Sequence, residues 1–521
     1  MMDLTLSSWT LAILPVLVLL AGILWFKWEA AQVGAVSWFV ALVVASTYFG
    51  ADWRLLSLAN SKGMSLSLFV LLIIWGAVLL YNVVEKSGAI KVIGAKMVTV
   101  TEDKLLQCLL LSWCFTSLLQ GIAGFGVPVA VVAPIMVVMG FSPLTAVATC
   151  LIGHSWAISF GSMGSSYYSI QLVTKIPGEV IGPLMALTFA IPIFATGFGV
   201  AHIYGGMAAV RKGMSTIIPT GAAMSATLWF MNFIGAAQLA SLMAAISGCF
   251  VMMAIVLFRR QRADAPTSTP DFLKKPGMSF HLACAPYYAL ILISITLQIK
   301  FIKSALATFA WGLDYPAVQT SLGYVVKAEK MYSKINFFSH PAPILLVASL
   351  FGYWVYTKRL GPLPGLLSAA ARDTITKCLP TSIGIATMVM MALIMNDTGM
   401  TLLLAKGVAQ AFGGFFPLVS PFVGVLGSFI TGSNTNSNIM FGALQFETAT
   451  VLGKSGALMA AVQSVGGSLG VSMAPSTILI GATNVGMSGR ENEIMATTIK
   501  YCLFNTSLVG IATYLASLYF L

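Results

Sequence analysis

Apolar residues in this chain come in continuous runs rather than alternating with polar ones, and most runs reach the ~20 residues that a helix needs to span a bilayer. Runs bounded by charge or by Gly and Pro predict spans near 9–26, 34–50, 64–84, 144–166, 180–205, 214–235 and 237–258. A charged stretch follows at 259–278, and further spans are predicted near 281–302, 341–357, 380–396, 456–476 and 497–520. Two other apolar stretches, 105–140 and 416–450, are interrupted near their middles by GIAGFGVPVA (Gly121 to Ala130) and TGSNTNSN (Thr431 to Asn438). Each half is too short to cross comfortably. Irregular backbone at bilayer depth is tolerated only where it is buried in protein or lines a cavity, so both stretches are expected to be re-entrant helical hairpins.

Three landmarks suggest one unit used twice. Gly88 and Gly399, each following an acidic residue at a span end, lie 311 residues apart; Gly124 and Gly432 in the two interruptions lie 308 apart; Gly161 in SFGSMGSS and Gly470 in SLGVSMAPS lie 309 apart. The expected fold is an all-α polytopic membrane protein with about 12 transmembrane helices in two inverted repeats, each holding a hairpin and a discontinuous helix. The repeats are expected at 1–210 and 279–521, joined by a helical pair and cytoplasmic linker at 211–278.

Composition agrees. The chain is 58% hydrophobic and 8% charged, where a soluble protein would carry about 25% charge, and continuous apolar runs exclude a porin-type barrel. With the N-terminus outside, 18 of the 28 Lys and Arg fall on the inner side, although the loop at 303–338 then carries several lysines outward. The net charge of +12 therefore reads as inner loops; without a dense basic tract interleaved with aromatics, no nucleic-acid partner is expected. Trp9 to Phe26 lacks the flanks of a cleavable leader. The seven cysteines show no metal-ligand spacing, so neither metal nor cofactor is expected. No acidic residue sits at the centre of a predicted span; Glu85, Asp397 and Glu447 lie at span ends or beside a hairpin, and without a nucleophile–base pair or acidic cluster an enzyme is not expected.

The candidate chemistry is concentrated at the interruptions. Gly124, Phe125 and Gly126 form the first tip, where glycine torsions and Pro128 would start a second helical arm whose free N–H groups attract an anion; a plain tight turn is the alternative. Ser433, Asn434, Thr435, Asn436 and Asn438 at the second tip could hold a substrate hydroxyl and carboxylate, or a cation. Ser162 and Ser165 belong to the first broken helix and Ser472 to the second, where local bonding to their own helix is the bland reading. An intramembrane ionisable group is a functional candidate by default, so His154, with Asn434 and Ser472, is a candidate for coupling-ion transfer.

At these residues the sequence resembles the bacterial L-lactate/glycolate permease family. The resemblance rests on GFGVPVAVVAPIMVVMGFSPLTAVATCL at 124–151, ISFGSMG at 158–164 and GSFITGSNTNSNIMFGALQ at 427–445, and is strongest over about 105–170 and 380–485. It implies a multi-pass protein of the bacterial inner membrane that imports a small 2-hydroxy monocarboxylate with protons. It leaves the oligomeric state open, a homodimer included. Asn434 stands where that family often has an acid, which puts proton coupling through the tip in doubt and keeps sodium coupling open.

Overall fold

A computed structural model describes residues 3–124, 126–260 and 277–519. Phe125 and the linker 261–276 lie outside the described residues. The principal helices are α1 (Leu6–Leu24), α2 (Ala30–Thr47), α3 (Trp53–Lys86), then a short α4 (Ala89–Val98) and α5 (Lys104–Ile122). They continue with α6 (Val127–Val138), α7 (Pro143–Gly153), α8 (Ser165–Thr174), α9 (Gly178–Phe233) and α10 (Ala240–Arg260). After the linker come α11 (Ala285–Gln298), α12 (Lys300–Leu306), α13 (Pro341–Leu360), α14 (Leu366–Asp397) and α15 (Met400–Phe412). The chain closes with α16 (Phe416–Thr431), α17 (Asn434–Val451), α18 (Gly456–Gly470), α19 (Pro475–Asn484) and α20 (Glu491–Tyr519).

Among the described residues, 11 helical segments are long and apolar enough to cross a membrane, or 12 with α11 and α12, which meet at a bend of 83°. The 56-residue α9 contains non-helical torsions at Gly205 and Gly206, so it supplies the two spans expected at 180–205 and 214–235. From α3 to α9 and from α14 to α20 the elements follow one order: a long helix, a glycine at positive φ (Gly88 at 81°, Gly399 at 82°), a short helix, an interrupted pair, a broken helix and a last long helix.

The fold departs from an all-helical chain in the loop at 303–338. There β1 (Ala310–Tyr315) pairs antiparallel with β4 (Glu329–Asn336), and β2 (Val318–Gln319) with β3 (Val325–Val326). Short strands, two of them only two residues long and the longer pair irregular in register, carry too weak a period-2 signal to stand out between apolar helices.

Helices α3 and α14 run antiparallel and are pinned along their length. Trp75 Nε1 donates to Ser382 Oγ at 2.9 Å, Asn82 Nδ2 donates to Thr374 Oγ1 at 2.9 Å, and Lys86 pairs with Asp373 at 2.6 Å. At the opposite end Lys62 Nζ, only 2% exposed, lies 3.2 Å from Asp397 Oδ2 and 3.0 Å from Glu329 Oε2 of β4. The Tyr315 and Tyr332 rings lie 5.7 and 5.9 Å from the same ammonium, within cation–π range. Glu329 also pairs with Lys175, the residue after α8. Burial pushes the Glu329 carboxyl up, but Lys175 and then Lys62 outweigh it and hold it below the usual carboxylate range. A carboxyl lowered in the folded state stabilises above its unfolded pKa, and that contribution is lost as pH falls through the lowered value.

A buried charge is tolerated only when paired. Lys62→Met should therefore strand Asp397 and cost about 3–5 kcal/mol, read as a lower unfolding temperature in detergent. Lys62→Met combined with Asp397→Leu should recover most of that loss; equal losses in the single and double variants would show that the pair is not its source.

Candidate functional site

Each interrupted stretch turns at a glycine and restarts as a helix. Gly126, at φ 77°, caps α6, and Pro128 occupies its first turn, where its missing N–H costs nothing. Gly432, at φ 67°, ends α16; Ser433 then caps α17, its Oγ accepting from Asn436 N at 3.3 Å. The polar run expected as a tip thus forms the first turns of α17. The two broken helices restart in the same region: α8 after Gly164 at φ 79°, and α19 at Pro475 after the extended Ala474.

These four starts meet at one cavity of about 230 Å³, room for roughly eight waters at ≈ 30 Å³ each. Of the expected residues, Gly124, Gly126, His154, Ser162, Ser165, Ser433, Asn434 and Thr435 line it; Asn436, Asn438 and Ser472 stand outside the lining. Ser472 Oγ donates to Leu469 O at 2.7 Å, the local bonding of an ordinary helical serine. Asn438 Nδ2 donates to Ser166 O and to Ser464 Oγ, both at 2.9 Å, so it joins α17 to both broken helices. His154 lines the cavity while its Nδ1 lies 2.5 Å from Cys150 O, which assigns the ring proton to Nδ1 and leaves Nε2 as an acceptor.

Gln120 and Thr477 line the cavity without having been singled out, and so do Ser166 and Ser476, the last serines of the runs SFGSMGSS and SLGVSMAPS, from which only Ser162, Ser165 and Ser472 are expected at the site. Ser166 and Ser476 are 310 residues apart, so the spacing that relates the glycine landmarks would have paired them. Gln120 sits inside an apolar run with only the nearby tip to mark it. The structure places its amide between two glycines: a Cβ at Gly161 would lie 2.8 Å from Nε2, and one at Gly124 would lie 3.2 Å away.

Beneath the cavity the second tip is locked by its side chains. Asn434 Nδ2 donates to Ser159 Oγ at 2.8 Å and Ser464 O at 3.2 Å, and Ser166 Oγ meets Thr435 Oγ1 at 2.9 Å. Gln445 and Gln463 extend the lattice, through Ser420 and Ser437, into the helices behind the tip. The side-chain oxygens Asn434 Oδ1, Asn436 Oδ1, Asn438 Oδ1 and Ser428 Oγ are buried without a hydrogen-bond partner. The cavity wall carries no Asp, Glu, Lys or Arg among its described residues. Its polarity comes from hydroxyls, amides and four positive helix ends, an arrangement that suits a small anion. Among the described residues, no cluster of His, Cys, Asp and Glu could hold a metal ion.

The glycine at the second turn allows a direct test. Gly432 and Gly453 share a positive φ (67° and 65°), but only at Gly432 would a Cβ meet a neighbour, Ser476 Oγ. Gly453→Ala should cost the backbone strain alone, about 1 kcal/mol. Gly432→Ala should cost at least about twice that and close the cavity, read by thermal unfolding with and without a small carboxylate. Equal losses at the two positions would mean that α16 and α19 do not meet as described.

Comparison with known proteins gives a family match described as L-lactate permease, over residues 8–520. The L-lactate permease of Escherichia coli (strain K12) is 27% identical over 97% of this chain and 90% of its own length. The glycolate permease GlcA of the same strain is 24% identical over 98% and 95%. Among solved structures, the Alcanivorax borkumensis YdaH transporter aligns with a TM-score of 0.44 and 15% identity over 87% of this chain and 86% of that one, a likeness too weak to assign topology.

Proposed function

The chain belongs to the L-lactate permease family, and from that premise we propose that it is a secondary transporter importing L-lactate, glycolate or a similar 2-hydroxy monocarboxylate by proton symport. It is a multi-pass integral membrane protein, which fits a bacterial inner membrane. The observation that carries the reading is the convergence of the α6, α8, α17 and α19 N-termini on one small cavity with no acidic group in its described wall. Four positive helix ends attract a carboxylate without a lysine or arginine that would hold it too tightly to release. Gln120, Ser162, Ser165, Ser433 and Thr435 offer the donors and acceptors that a 2-hydroxyl needs.

Alternating access follows from the same layout. The recurring order of elements, with α3 and α14 antiparallel, supports two inverted repeats with re-entrant hairpins. Helices α5 to α8 and α16 to α19, which build the cavity, would move against the α3–α14 pair. His154 is the one ionisable residue in the described cavity wall, and its Nε2 is the acceptor for a coupling proton. A second reading, sodium coupling, is supported by the unpartnered oxygens of Asn434, Asn436, Asn438 and Ser428, since hard cations favour such ligands.

Counterflow of labelled L-lactate in proteoliposomes, competed by glycolate, tests the substrate class; no competition by any 2-hydroxy acid would remove it. Uptake should rise with an inward proton gradient and ignore a sodium gradient, and the reverse result would move the assignment to the second reading. Gln120→Leu should weaken lactate relative to propionate by about tenfold or more, because a site built to bond a hydroxyl loses that discrimination with its partner; an unchanged ratio would place the hydroxyl elsewhere.

A further inference from the structure

We propose that Glu329, on the β1–β4 hairpin, is the latch of the outer gate: it holds Lys175, at the far end of a helix that lines the cavity, against the fixed α3–α14 pair. The proposal rests on the transport reading above.

Helix α8 carries the connection. Its first residues, Ser165 and Ser166, are in the cavity wall, and its last, Thr174, is followed by Lys175 at φ 57°. Ten residues span about 15 Å, so a shift of the cavity wall is felt at Lys175 with little loss through a rigid helix. Of the cavity's apolar lining, Val129, Leu151 and Ile480 lie on α6, α7 and α19, and Ile158 and Val471 in the breaks of the two broken helices. Because α7 leads into the break and α8 leads out of it, their outer ends lie on opposite faces of the molecule. The Lys175 end is the hairpin's face; the other carries Lys104, which donates to Met139 O, and Lys212, which pairs with Asp103. The distribution of Lys and Arg makes the hairpin's face the outer one. The cavity therefore lies on the inner side of the α8 helix, and Glu329 closes the outer side.

Which bond must break is set by what anchors the hairpin. Tyr315 Oη lies 3.0 and 2.9 Å from Ser61 Oγ and Ser65 Oγ of α3, and Ser321 N donates to Gly50 O at 2.8 Å. Tyr324 and Leu322 cover the turns at Gly399 and Gly50. The hairpin thus belongs to the α3–α14 side. Lys62 is fully buried but keeps Asp397 whatever Glu329 does. Lys175 is about half exposed and can pass to water when it leaves Glu329, so the Lys175–Glu329 contact is the inexpensive one to open. Opening it leaves no unpaired charge buried on either side.

The test joins the two residues in the full chain. In proteoliposomes, Lys175→Cys with Glu329→Cys is bridged by a short, reducible bis-methanethiosulfonate reagent. Uptake of labelled lactate should fall at least about tenfold on bridging and return with reductant, while the reagent leaves the uptake rate of each single variant where it stood before treatment; a bridged protein that still transports at the unbridged rate would overturn the latch. A second arm needs no substrate: with Ser166→Cys as reporter, Glu329→Gln should raise labelling by a membrane-impermeant maleimide from outside about tenfold, the size expected for a tenfold shift in the closed-to-open ratio. Unchanged labelling would also overturn it. If the parent chain transported no 2-hydroxy acid at all, the transport reading would fail, while the labelling arm would still decide the latch.

Discussion

The structure depends on one constraint: polar groups placed at bilayer depth must find partners inside the protein, because lipid offers none. The two interrupted stretches place glycine turns, free helix ends and a run of amide and hydroxyl side chains inside the protein, around one cavity. Asn434 meets the constraint for the second tip by donating to Ser159 on the first broken helix and to Ser464 on the second. One side chain thus ties together elements about three hundred residues apart. Asn438 does the same through Ser166 and Ser464. What cannot be satisfied this way faces the cavity or stays unpartnered beside it, and those groups are the ones that a bound solute would use.

The constraint also accounts for how much could be read from the sequence. Continuous apolar runs, the two interruptions and the glycine landmarks follow from rules that act locally, so the helical layout and the place of the cavity were legible. Which polar residues face the cavity was not, because that depends on rotation about helices whose neighbours come from the other half of the chain. Asn436 and Asn438 share a run with Asn434 yet point elsewhere, and Gln120, one turn before the first tip, points in. Ser472 was singled out by position and turned out to bond its own helix, as serine commonly does. The β-hairpin was illegible for a different reason: its strands take their meaning from Lys62, a charge just outside the run expected to begin at residue 64.

Lys62 shows how charge is managed where the cavity avoids it. The cavity wall offers dipoles and neutral groups, with no Asp, Glu, Lys or Arg among its described residues, so a solute held there would enter and leave without exchanging a strong ion pair. The full charges lie away from the cavity: Lys62 with Asp397 joins α3 to α14, and Lys175 with Glu329 joins the end of α8 to β4. A buried ion pair costs desolvation that its attraction only roughly repays, but removing one partner is far more costly. Such pairs are therefore poor sources of stability and good switches between two packings: a pair confined to one half can stay closed throughout a cycle, whereas a pair across the boundary must be partly solvated to open at all. The exposures follow that division, with Lys62 at 2% and Asp397 at 5% within the fixed pair, and Glu329 at 18% and Lys175 at 53% where the halves would part.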